Sequence, residues 1–153
     1  MEKRILVANG VNLDLLGRRD KSYYGAFSLK DLENYILNKL PKIRELCSCD
    51  FTVKLSFFQT NDELEFLEKL SENWDGMIIN PGAWTHTSLA LADRLEAVAI
   101  PYIEVHLSNI FGREKFRNTS YSAPLAKGFV CGLKQDSYIS ALYGLISLLT
   151  ASI

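Results

Sequence analysis

The sequence predicts an alternating α/β domain: a five-stranded parallel sheet with helices on both faces. Three observations carry this expectation. Short runs rich in branched and aromatic residues alternate in regular succession with longer segments whose leucines recur at helical spacing. The first strand candidate, Arg4 to Asn9, is continuously apolar through its middle, as expected of a strand covered on both faces. No repeat, linker or low-complexity segment breaks the 153 residues, a length suited to one domain with one substantial core.

After Arg4 to Asn9 comes a long loop and then, from Ser28, a helix marked by Leu29, Leu32, Tyr35, Ile36 and Leu40. Ser28 with Asp31 three residues on has the form of an N-terminal cap. Pro41 is expected to break or kink that helix before a last turn through Ile43 and Leu46. Phe51 to Phe58 reads as the second strand, and Asn61 as the cap of an acidic helix bearing Leu64, Phe66, Leu67 and Leu70. Gly76 to Asn80 is the third strand, followed by a helix from about Thr87 to Ala97. Pro101 to His106 is the fourth strand, Lys127 to Cys131 the fifth, and a helix from roughly Ser137 to Leu149 closes the chain.

Composition narrows the class. With 48% hydrophobic and 23% charged residues the chain is that of a soluble globular protein, and a formal net charge of -1 argues against a general nucleic-acid binder. No apolar run approaches the roughly 18 residues of a membrane helix, and no secretory signal is evident at Met1-Glu2-Lys3-Arg4, so no membrane partner is expected. Cys47, Cys49 and Cys131 lack the partners and spacing of a zinc site; the protein is expected to be reduced and cytoplasmic.

In parallel sheets of this kind ligands bind beyond the carboxyl ends of the strands, near the reversal of strand order. Three strand ends carry unusual chemistry. On the fourth strand Glu104 and His106 are two apart and share a face. A carboxylate there can fix the tautomer of the imidazole and favour its protonated form, which suits a proton donor near neutral pH. Beyond it, Arg113, Lys115 and Arg117 place three cations within five residues. The loop after the first strand is about 18 residues long, as functional lids often are, and holds Arg18, Arg19, Lys21, Tyr23 and Tyr24. A tyrosine is a poor base at neutral pH, and neighbouring guanidinium groups favour its phenolate. After the third strand, Asn80-Pro81-Gly82 makes a sharp turn toward His86 and a helix start near Thr85 to Thr87. Taken singly, each has a plainer reading: a histidine ending a core strand, solvated surface charge, an asparagine serving local backbone, a threonine cap.

Together the segments closely resemble type II 3-dehydroquinate dehydratases. The resemblance is carried by Asn9-Gly10-Val11-Asn12-Leu13-Asp14-Leu15-Leu16-Gly17, Arg19 with Tyr24-Gly25, Ile79-Asn80-Pro81-Gly82-Ala83, Thr85-His86-Thr87-Ser88, and Glu104-Val105-His106-Leu107-Ser108-Asn109. Arg113-Glu114, Phe116-Arg117 and Ser120-Tyr121 extend it over nearly the whole chain. It implies a flavodoxin-like three-layer sandwich spanning residues 1–153 as a single domain, with a lid at about residues 10–27. It implies loss of water from 3-dehydroquinate to give 3-dehydroshikimate, by anti elimination through an enolate, in the shikimate pathway, with neither metal nor organic cofactor.

On the same resemblance Tyr24 is the base, Arg19 holds it as phenolate, and His106 protonates the departing hydroxyl under the orientation of Glu104. Asn12 helps hold the water that stabilises the enolate. Asn80, His86, the backbone at Leu107 and Ser108, and Arg117 bind substrate, while Arg113 supports the lid and the anionic site. The family assembles as trimers packed into dodecamers, and Asp93 matches an acid that reaches the site from a neighbouring subunit. Val11, Asp14, Trp84, Phe111-Gly112 and Lys115 depart from the commonest family pattern, and none removes a proposed chemical group. Tyr24 is preferred to Tyr23 because it precedes Gly25 and follows Arg19 by five residues.

Other readings lead elsewhere. A flavodoxin-like module for a nucleotide or flavin would want a glycine-rich phosphate loop after the first strand, and none is present. An inactive homologue would have no need of Tyr24, Arg19 and His106 together. A serine hydrolase built on Ser108, His106 and Glu104 would need relay geometry that residues two apart on a strand do not provide without distortion.

Overall fold

The computed structural model describes residues 1–151. Its strands are β1 (Glu2–Asn9), β2 (Thr52–Gln59), β3 (Gly76–Asn80), β4 (Tyr102–His106) and β5 (Gly128–Cys131). The helices are α1 (Lys21–Tyr24), α2 (Leu29–Leu46), α3 (Glu63–Leu70), α4 (Leu89–Val98) and α5 (Asp136–Ala151). All strand pairs are parallel, in the order β2-β1-β3-β4-β5. That is the flavodoxin-like order, and its direction reverses between β1 and β3.

The continuous apolar strands have the cause anticipated for them: residues alternate between two buried layers. Ile5, Val7, Ile78, Ile103 and Val105 pack with Leu32, Ile36 and Ile43 of α2 and with Tyr138, Leu142 and Leu145 of α5. Leu6, Ala8, Met77, Ile79 and Tyr102 face the opposite way, onto Phe66 and Leu70 of α3 and Leu91 and Leu95 of α4. Each fully buried Leu, Ile or Phe among them contributes about 1.5–3 kcal/mol.

Local signals hold with three corrections. The capping box is complete: Ser28 Oγ accepts from the Asp31 amide and the Asp31 carboxylate accepts from the Ser28 amide. Pro41 does not break its helix; α2 runs through it from Leu29 to Leu46. Pro41 and Leu37 are both exposed, so water can take the place of the amide that proline lacks. The cap of α3 is Asp62, whose side chain accepts from the Glu65 amide, and not Asn61. Asn61 instead accepts from the Asn12 amide at 2.8 Å and donates to Asp14 at 3.2 Å, fastening the loop after β1. Finally, Gly82–His86 forms a 3-10 turn, and α4 begins only at Leu89, capped by Ser88.

At the order reversal two loops meet backbone to backbone. The Gly10 amide donates to the Asn80 carbonyl at 2.8 Å, and a Cβ on Gly10 would lie 2.5 Å from the Pro81 oxygen. A Cβ on Gly82, at φ +60°, would lie 2.7 Å from the Val11 oxygen. Only glycine allows these approaches, and they set the distance between the first two walls of the site.

Candidate active site

The loops after β1, β3 and β4 enclose a cavity of about 120 Å³ over the carboxyl edge of the sheet. The first wall supplies Val11, Asn12, Leu13, Arg19 and Tyr24; the second Asn80, Gly82, Ala83 and His86; the third His106 to Ser108, Ile110, Arg113 and Arg117. The structure thus brings together every sequence-predicted site residue except two. Glu104 lies beneath the cavity floor, fully buried, and Asp93 stands exposed on α4, outside this lining.

Tyr24 ends the short helix α1 and is only 8% exposed, its ring packed in the core cluster with Leu13 and Leu16. Its oxygen receives Arg19 Nη2 at 2.6 Å and Arg113 Nη1 at 2.7 Å. Two guanidinium donors on one phenolic oxygen, on a side chain shielded from solvent, make an arrangement suited to a phenolate. Tyr23 is exposed and plays another part: the Arg113 guanidinium lies 4.0 Å over its ring. Arg113 also donates to Ser108 Oγ at 3.2 Å. Ser108 makes no hydrogen bond to His106 among the described residues, so the hydrolase relay is not assembled.

On the third wall, His106 Nε2 meets Glu104 Oε1 at 2.7 Å, both side chains buried at the end of β4. A carboxylate accepts, so the imidazole proton sits on Nε2 and Nδ1 is the ring's other working atom. Its ring stacks with His86, centroids 6.5 Å apart. His86 Nδ1 lies 2.7 Å from the Thr119 carbonyl, which can only accept; Nδ1 therefore carries the proton and the neutral ring offers Nε2 as an acceptor. Burial pushes the His86 imidazolium below its usual 6.5, against the carbonyl's opposite effect, with His106 and Arg117 adding to the lowering.

The sign of that shift makes a prediction. The unfolded chain takes up a proton near pH 6.5 that folded His86 refuses until lower pH, so this contribution to stability is lost as pH falls through that value. Denaturant midpoints measured between about pH 7.5 and 5.5 are expected to decline in the unaltered protein, and His86→Gln should reduce that slope. An unchanged slope would contradict a disfavoured imidazolium.

Several contributors escaped sequence reasoning. Asn80 Oδ1 accepts from the Gly82 amide at 3.1 Å while its Nδ2 donates to Tyr138 Oη at 2.8 Å. Tyr138, fully buried on α5, donates in turn to Asn9 Oδ1 at 2.5 Å, and burial holds its hydroxyl far above the usual phenol range. Phenylalanine at 138 would leave two buried amide groups unpaired. Tyr138→Phe is expected to cost about 1–3 kcal/mol in denaturant unfolding; a cost near zero would mean that water replaces the hydroxyl. The buried hydroxyls of Thr85 and Ser122, with Ser120, collect around Glu104. No local pattern signals either group, because their partners lie on distant segments. Among the described residues no cluster of three or more His, Cys, Asp or Glu side chains is placed to hold a metal ion.

Comparison with known proteins identifies the family. Residues 3–146 match the family profile described as dehydroquinase class II. A 3-dehydroquinate dehydratase of Glaesserella parasuis is 47% identical over 143 residues, covering 92% of each chain. One of Caldicellulosiruptor saccharolyticus is 47% identical over 151 residues, covering 96% of this chain and 99% of that one. Among solved structures, the type II dehydroquinase of Propionibacterium acnes aligns with a TM-score of 0.80 at 33% identity, covering 99% and 98% of the two chains. That of Butyrivibrio crossotus aligns with a TM-score of 0.78 at 35% identity, covering 92% and 95%. With the fold, the three-walled cavity and a family match over almost its full length, this chain belongs to the class II dehydroquinase family.

Proposed function

We propose that this cavity dehydrates 3-dehydroquinate to 3-dehydroshikimate, the hydro-lyase step of the shikimate pathway, by anti elimination through an enolate. The observation that carries the reading is the pairing of a twice-guanidinium-bound phenol, Tyr24, with a carboxylate-bound imidazole, His106, on different walls of one cavity. A proton beside a ketone is weakly acidic, so its removal needs a strong base and a place for developing negative charge. Tyr24, held as phenolate by Arg19 and Arg113, takes that proton. Asn12, on the same wall, helps position the water that stabilises the enolate oxygen. His106 then delivers a proton to the departing hydroxyl, which leaves as water, and Glu104 orients the ring.

Binding divides along the walls. Neutral His86 offers an acceptor to a substrate hydroxyl, Asn80 and the backbone at Leu107 and Ser108 contact the ring substituents, and Arg113 and Arg117 face the carboxylate. Arg117 is steadied by Glu114, its Nε 2.7 Å from the carboxylate. The loop of residues 10–27 acts as a lid within a single domain spanning residues 1–153. Asp93 works across a subunit boundary, in trimers that pack into a dodecamer, which fits its exposed position away from its own chain's cavity. The enzyme acts in the cytoplasm, without metal or organic cofactor; no helix among the described residues is long and apolar enough to cross a membrane.

The test is ultraviolet absorbance of protein mixed with 3-dehydroquinate after dialysis against a chelator. The product's conjugated enone absorbs where the substrate does not. A rising signal is expected, and a flat trace from folded protein would overturn the reading.

A further inference from the structure

Glu104 is held by more than His106. Its Oε1 accepts from His106 Nε2 at 2.7 Å and from Thr85 Oγ1 at 2.5 Å, with Ser120 Oγ 3.3 Å away, while its buried Oε2 has no hydrogen-bond partner among the described residues. Two short donors occupy the lone pairs of one oxygen, and Oε2 has no acceptor among the described residues to receive a proton; the pocket is built around a carboxylate. Thr85 is the hub. Fully buried in the 3-10 turn after β3, its hydroxyl also meets Ser120 Oγ at 2.6 Å and Ser122 Oγ at 2.9 Å. With its one proton directed to Glu104, Thr85 accepts from the serines. The assembly is anchored by Tyr102, whose hydroxyl donates to the Ser122 carbonyl, and by the Tyr121 amide, which donates to the Thr85 carbonyl at 2.8 Å.

We infer that Thr85 is a positioning residue for the elimination: its hydroxyl, backed by Ser120 and Ser122, spreads the Glu104 charge so that Glu104 orients His106 through Nε2 without tightening the ring's hold on the Nδ1 proton it must hand on. The inference rests on His106 as proton donor. A carboxylate that takes a strong hydrogen bond elsewhere is a weaker base toward its remaining partner. Without the Thr85 hydroxyl, Glu104 draws harder on the imidazolium, which persists to higher pH and gives up its proton more reluctantly. The other titratable and charged groups near the pair are His86, Arg113, Arg117 and Tyr24 around the cavity, Tyr102 at the start of β4, and Cys131 in register on β5. Replacement of Thr85 by an isosteric residue leaves all of them in place.

The experiment compares Thr85→Val, which keeps the shape and removes the hydroxyl, with Thr85→Ser, which keeps the hydroxyl. Thr85→Val is expected to lower kcat by roughly tenfold to a hundredfold, part of what general acid catalysis contributes, with KM little changed and the alkaline limb of the kcat profile moved to higher pH. Thr85→Ser should restore both. A second readout does not need turnover: the chain has two histidines, so ring resonances can be followed against pH by NMR, with His86→Gln as the assignment control. The His106 transition should move upward in Thr85→Val and that of His86 should stay. If the wild-type protein fails to turn over 3-dehydroquinate, the functional reading falls while the ring titration still decides the role of Thr85. If Thr85→Val does not fold, Ser120→Ala removes a part-buried hydroxyl that donates to Thr85 and so weakens the Thr85 bond to Glu104; it carries the same expectation with a smaller shift. A folded variant whose ring titration and profile are unmoved, or move to lower pH, overturns the inference.

Discussion

Replacing Tyr24 with phenylalanine is expected to abolish measurable turnover of 3-dehydroquinate while leaving the fold and substrate affinity nearly intact. The ring is part of the core, packed with Leu13 and Leu16, and phenylalanine keeps that volume. Only the oxygen is lost, and it is the atom on which Arg19 and Arg113 converge. Without it no other group in the cavity is placed between two guanidinium donors to act as an anionic base. Loss of a general base alone removes about 10²–10⁴ in rate. Here the charge-stabilising environment is wasted as well, so the loss should reach or exceed the upper end. The check is enone absorbance for turnover and calorimetry for binding, with circular dichroism as the fold control. Turnover near the wild-type rate would remove Tyr24 from the reaction.

Arg19→Ala should produce the second largest effect. One charged donor is removed from the phenolic oxygen and Arg113 remains at 2.7 Å, so some activity should survive. Removal of a single preorganised donor from a developing or standing anion costs about 2.7–4 kcal/mol, or roughly 10²–10³ in kcat. The pH dependence distinguishes loss of the phenolate from loss of structure. A phenolate with half its support forms only at higher pH, so the rate of Arg19→Ala should recover in part as pH is raised. A deficit equal at every pH would mean that Arg19 acts by shaping the loop rather than by holding charge.

Much of this molecule is legible residue by residue. The alternation of strands and helices, the continuous apolar strands and the Ser28–Asp31 capping box follow from hydrophobic period and cap chemistry, which depend on neighbours a few residues away. The Glu104–His106 pairing is local in the same sense, since residues two apart on a strand must share a face. The errors also have local causes. Pro41 in isolation argues for a helix break, yet it lies on an exposed face where water can satisfy what proline leaves unpaired. Asn61 looks like a cap, but Asp62 takes that place and Asn61 is used to fasten the loop bearing Asn12.

By itself, then, the sequence determined the α/β class, the strand ends where chemistry collects, the dyad on β4, and the residues through which the chain resembles its family. Only the tertiary structure decided that Arg113, 89 positions from Tyr24, joins Arg19 on its oxygen, that Tyr23 instead supports Arg113, and that Thr85, Ser120 and Ser122 enclose Glu104. The physical reason is the range of the interactions. Periodicity and capping are set by the chain's own near neighbours, whereas a hydrogen bond forms only within about 3 Å, and which distant groups come that close is settled by how the loops pack where the strand order reverses.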